Sequence, residues 1–146
     1  MLDMIKAQMD SSVPFAAHTG VELLELSPAC GVARLIQSQH VSNHVQTIHA
    51  GALFTLAEAA SGAAMAGAFA EHITAIRPVV SDARISYLKS ARGLVTATAT
   101  TARDAADLQA ELVAKGRVTF DVRVDVKDEK SVCVATFTAT WNVKLL

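Results

Sequence analysis

The chain has little cysteine and little charge. Only Cys30 and Cys133 occur in 146 residues, both in apolar, strand-like surroundings. Two such thiols supply no disulfide framework, and they read as reduced packing residues of a cytosolic protein. Charged residues make up 18% of the chain and leave a formal net charge of −1, so no basic patch points to nucleic acid or to an acidic membrane surface. The N-terminal stretch MLDMIKAQMD carries acidic residues and no apolar signal core, which makes the cytoplasm the expected location. Hydrophobic residues reach 51%, which excludes disorder and points to surface buried in an oligomer. The length suits a single domain, residues 1–146, with a real core and an N-terminal helical extension over about 1–18.

Proline is also absent from the stretch HAGALFTLAEAASGAAMAGAFA, residues 49–70, around which the rest is organised. Its Ala and Leu content predicts one long helix, apolar on nearly every side and therefore buried on nearly every side. Thr55, Glu58 and Ser61 are its polar exceptions. An unpaired carboxylate is costly to bury, so Glu58 is paired, neutralised or used. A membrane span competes on length alone. Ala and Gly are weakly hydrophobic, however, and a central Glu costs ~3 kcal/mol or more to insert. A core helix with a structural Glu ion pair is the other alternative.

Around this helix the pattern is regular. Leu2 to Ala17 reads as helix, split by Pro14. Strands follow over Val21 to Leu26 and Gly31 to Gln37, joined by a turn at Ser27–Cys30. Residues 39–48, QHVSNHVQTI, form a polar loop before the helix. After a turn at Glu71 and His72 leading to Pro78, strands are predicted over Val79 to Ser90 and Leu94 to Arg103. A helix follows over Asp104 to Lys115, closed by Gly116, and then strands over Arg117 to Lys127 and Ser131 to Val143. A helix segregated against an antiparallel sheet is an α+β layer fold.

The run Asn43-His44-Val45-Gln46-Thr47-Ile48-His49-Ala50-Gly51, continuing to Glu58, resembles the signature of hot-dog-fold acyl-CoA thioesterases of the PaaI-like and 4-hydroxybenzoyl-CoA types. The segment Ile85 to Gly93 is similar to those families' strand ending in Tyr, a short turn and Gly. Two departures stand out: Ala50 where the family usually has Gly, and Gly62 where some relatives place Ser or Thr. The resemblance implies a sheet wrapped around the central helix and a homodimer, possibly a tetramer of two dimers. It also implies an acyl-CoA substrate and no cofactor, coenzyme A entering only as part of that substrate.

Thioester hydrolysis needs donors at the developing oxyanion and a base or attacking carboxylate. The first amides of a helix are free and carry the positive end of its dipole. Ala50 or Gly51 can therefore donate, with Glu58 as base or nucleophile and Asn43 or Gln46 holding the carbonyl or the water. His49 anchors the loop. Substrate contacts are expected at His49, Gln46, Ser61 beside the carboxylate, Lys89 and Arg92, and the resemblance implies that the two cations, at a strand end, meet coenzyme A phosphates. Ala50 and Glu58 lie ~12 Å apart along one helix, so both reach one carbonyl only if a second copy supplies one of them. His40, His44 and His49 lack the further ligands of a tetrahedral metal site. Phe54, Met65, Phe69 and Phe120 are expected to shape the acyl pocket, and Asp82 with Arg84 to form an ion pair on one strand face. Two other functions fit the same fold: a non-catalytic acyl-CoA or acyl-carrier-binding protein, and a dehydratase or hydratase, whose chemistry calls for a His and carboxylate pair.

Overall fold

The computed structural model describes residues 1–146. Its elements are α1 (Leu2–Ser12), α2 (Pro14–Thr19), β1 (Glu22–Ser27), β2 (Cys30–Ile36), a 3-10 turn at Gln39–Val41 and α3 (Ala50–Ala68). A second 3-10 turn at Ala70–Ala75 leads to β3 (Ile76–Tyr87), β4 (Leu94–Thr101), α4 (Ala105–Lys115), β5 (Arg117–Asp128) and β6 (Cys133–Leu145). Pro14 stands at the first position of α2, where its missing N–H is no loss, and so ends α1. Gly20 and Gly116 close α2 and α4 in the left-handed conformation, at φ 95° and 75°.

The six strands form one antiparallel sheet in the order β1-β2-β4-β5-β6-β3. In β5 the alternation is complete: Val118, Phe120, Val122, Val124 and Val126 are buried, and their neighbours face solvent. Those inward side chains meet α3, which contacts β1, β2, β4, β5 and β6. This is the α+β hot-dog arrangement that the sequence implies, a sheet wrapped around a central helix. Small residues let the two layers close. A Cβ on Gly31 of β2 would run into the Ala60 carbonyl of α3 and stand 2.6 Å from the Ala64 nitrogen. A Cβ on Gly67 would run into the Ser27 carbonyl at the end of β1.

Three local expectations are revised. The central helix is shorter than residues 49–70, because His49 caps it and Phe69 leaves helical geometry. Strand β3 begins at Ile76 and contains Pro78, which the sequence placed ahead of the strand. It tolerates proline because it is an edge strand paired only to β6, so an outward position without an N–H loses no ladder bond. Asp82 and Arg84 make no ion pair. A bulge at Ser81 interrupts the register, and the two residues stand opposite Thr140 and Thr138. The ion pairs that do form, such as Arg34–Glu22 and Arg103–Glu111, lie at the surface and stabilise little. Cys30 and Cys133 are free thiols, both half-buried. No helix is long and apolar enough to cross a membrane.

Candidate active site

The loop before α3 is built on one side chain. Asn43 Oδ1 accepts from the Val45 and Thr47 amides at 3.1 and 3.0 Å, and its Nδ2 donates to Thr47 Oγ1 at 2.7 Å. This Asx-type closure holds Gln46 at φ 63° and sets Ile48 against Ser42 in an isolated bridge. His49, extended at φ −61° and ψ 140°, is the N-cap of α3: its Nδ1 accepts the Gly51 amide at 2.8 Å. That donor assigns the ring proton to Nε2. The Gly51 amide is thus occupied, whereas the Ala50 amide, first in the helix, has no acceptor within the chain. The Tyr87 hydroxyl donates to the Ala50 carbonyl at 3.0 Å, tying the end of β3 to the helix start. Burial pushes this phenol above its ordinary pKa. Asn43, Ala50, Leu53, Tyr87 and Lys89 line one open cavity of about 350 Å³.

Glu58 lies two turns further along. Beyond its first turn α3 is buried except for Phe54, Glu58 and Ala59, a stripe at i, i+4 and i+5. Burial among apolar side chains pushes the Glu58 carboxyl above its ordinary value, and no cation or donor offsets that shift. The carboxyl reaches a second cavity, of about 260 Å³, between α3 and the N-terminal helices; Met9, Ala16, Leu23, Gly62, Met65 and Trp141 share its lining. Asp10 also lines it, and its Oδ1 accepts the Leu23 amide at 3.0 Å, fastening α1 to β1. Trp141 Nε1 donates to Ser61 Oγ at 3.1 Å, and Ser61 Oγ donates to the Glu58 carbonyl at 2.7 Å.

The candidates therefore fall into separate groups. Asn43, Ala50 and Lys89 come together at the helix start, and Glu58 stands apart from them over the second cavity. His49 and Gly51 border a third, of about 310 Å³, with His18 and His40. Gln46 and Arg92 line none of the three; the Gln46 carbonyl accepts from Gln37 Nε2 at 3.1 Å, and Arg92 is exposed. Ser61 requires correction as a substrate contact, since it is 0% exposed and its hydroxyl is engaged twice inside the core. The pocket residues need correction too. Phe54 packs edge-on against Phe137 at 5.2 Å and Phe69 against Phe120 at 5.7 Å, leaving only Met65 of the four at the Glu58 cavity. Tyr87, Trp141, Met9 and Asp10 line these cavities without belonging to the motif that marks the other candidates. Tyr87 and Trp141 carry a signal, each being the one residue of its type. Met9 and Asp10 carry none, because an N-terminal helix reads as an appendage until it is seen folded over the cavity. No three His, Cys, Asp or Glu side chains converge as metal ligands.

No curated protein matches the chain. Among solved structures, a Pseudomonas aeruginosa protein of unknown function described as a probable thioesterase superposes with a TM-score of 0.85 at 23% identity, over 100% of this chain and 97% of the other. The PaaI protein of the Escherichia coli phenylacetic acid degradation operon gives a TM-score of 0.75 at 19% identity, over 99% and 94%. A Staphylococcus aureus thioesterase, solved as a mutant, gives 0.75 at 19%, over 90% and 99%. These likenesses establish the fold. A family model described as a domain of unknown function, DUF4442, matches residues 3–143. The chain belongs to the DUF4442 family, built on the hot-dog fold of the PaaI-like thioesterases.

Proposed function

We propose that the protein hydrolyses an acyl-CoA thioester to a free acid and coenzyme A, with Glu58 as the essential carboxylate in a site completed by a second copy of the chain. The observation that carries this reading is the Glu58 carboxyl itself: unpaired, desolvated and open to an apolar cavity. A carboxylate whose pKa is raised is a stronger base than an ordinary one and takes a proton from water more readily. Water attacks the thioester carbon while its proton passes to Glu58. The tetrahedral oxyanion lies on the Ala50 amide, strengthened by the positive end of α3. The C–S bond then breaks, and the leaving thiolate takes the proton from Glu58. Direct attack by the carboxylate, followed by hydrolysis of the anhydride, uses the same groups.

One chain does not bring these groups together, because Ala50 and Glu58 open onto different cavities. Antiparallel α3 helices across a two-fold axis would set Ala50 of one copy against Glu58 of the other, in a homodimer or in a tetramer of two dimers. Lys89, beside Ala50, and the exposed Arg92 are the cations we assign to the coenzyme A phosphates. Asn43 acts as a positioning residue, since its amide is committed to the loop that aims Ala50. Release of free thiol from a panel of acyl-CoAs tests the reading. Turnover by the wild type that Glu58→Gln abolishes supports it; no release from any acyl-CoA refutes it.

A further inference from the structure

The cavity beneath the N-terminal helices has features that the hydrolytic step does not use. It is walled on one side by α1 and α2 and on the other by α3, with Trp141 at its floor. Its volume of about 260 Å³ holds roughly eight groups of the size of a water or a methylene, at ~30 Å³ each. Asp10 and Glu58 are its only ionisable lining, and Asp10 is held by the Lys6 ammonium and the Leu23 amide, so the rest of the wall suits a neutral, apolar tail. Gly62 keeps it open. A Cβ there would stand 3.6 Å from Met9 Cε and 3.7 and 3.8 Å from two Trp141 ring carbons, so a longer side chain would fill the gap between them.

We propose that this cavity receives the acyl tail of the substrate, an apolar chain of about eight carbons, and that Gly62, Met9 and Trp141 set its length limit. The proposal rests on the acyl-CoA reading above, and it adds a role for the N-terminal helices. The ester enters uncharged; once hydrolysed, its new carboxylate stands at Glu58, and like charge favours release of the product.

The test combines kinetics with binding. For the wild type, kcat/KM should climb about fourfold per added methylene from butyryl- to octanoyl-CoA, equivalent to the ~0.8 kcal/mol of burying one CH2, and then level off. Gly62→Leu should lower the octanoyl-to-butyryl ratio by about tenfold or more. Met9→Ala, on a half-buried position of α1, should move the optimum to longer chains. It remains informative if Gly62→Leu melts early by circular dichroism. Trp141 is the one tryptophan, so its emission reports occupancy without turnover. The thioether octyl-CoA should shift that emission saturably, and coenzyme A alone should leave it unmoved. A flat chain-length profile, or an unchanged ratio in both variants, or an emission indifferent to octyl-CoA, overturns the assignment. A saturable shift in a protein that cleaves no acyl-CoA would uphold the pocket and refute the hydrolase reading instead.

Discussion

A carboxyl held above its ordinary pKa binds its proton more tightly in the folded chain than in the unfolded one. Over the pH interval between those two values the native state carries more protons, so stability falls as pH rises through it. For Glu58 the cost is complete above both of its pKa values and absent below both, where the two states are equally protonated. Glu58→Gln should therefore melt no lower than the wild type near neutrality, with any advantage vanishing in acid. Its kcat should fall by about 10² to 10⁴, the usual cost of losing a general base. A Gln variant that melts lower yet turns over normally would make Glu58 structural. The rate profile follows the same sign: kcat/KM should drop on an acid limb centred above the ordinary carboxylate range. A limb at or below that range contradicts the assigned base. Glu58 was legible in the sequence because it is the lone charge in an apolar run. The commitment of Asn43 to its own loop was not, since an Asx closure depends on where Thr47 returns. Asn43→Ala frees the Val45 and Thr47 amides and should cost about 1–3 kcal/mol in thermal or denaturant unfolding. Its loss in kcat should be smaller than that of Glu58→Gln.

At the scale of the elements, α3 could be read from Ala and Leu alone, whereas its contacts could not. Gly31 sits in a strand pattern with nothing local to mark it, yet the helix backbone packs so closely on it that no Cβ fits. Gly31→Ala should cost about 1–3 kcal/mol or more through overpacking, read as a lowered urea midpoint with an unchanged slope. Unaltered stability would mean that the layers separate more easily than this packing allows. The same limit applies to β3. Pro78 hides the start of an edge strand, because whether proline is tolerated depends on which side of the strand is paired. The N-terminal helices were legible as helices from Pro14 and their apolar positions. Their place over Glu58 is fixed by the Asp10 bond to the Leu23 amide, a contact between elements that periodicity does not encode.

For the whole molecule, the central claim is that Glu58 of one copy works with the Ala50 amide of another. That amide can be removed without disturbing the helix. Proline is favoured at the first helical position, and His49 already holds the extended geometry a following proline requires. Ala50→Pro should lower kcat by about 10² to 10³, the cost of one lost oxyanion donor, without unfolding the protein. Mixing the Ala50→Pro and Glu58→Gln proteins under conditions that exchange subunits is the decisive measurement. A mixed dimer pairs the intact Glu58 of one chain with the intact Ala50 of the other, giving one working site. Random reassortment of equal amounts should then restore about a quarter of wild-type thioesterase turnover. Turnover that stays at the level of the two parents, while native mass spectrometry shows the mixed dimer present, would contradict a site shared between copies.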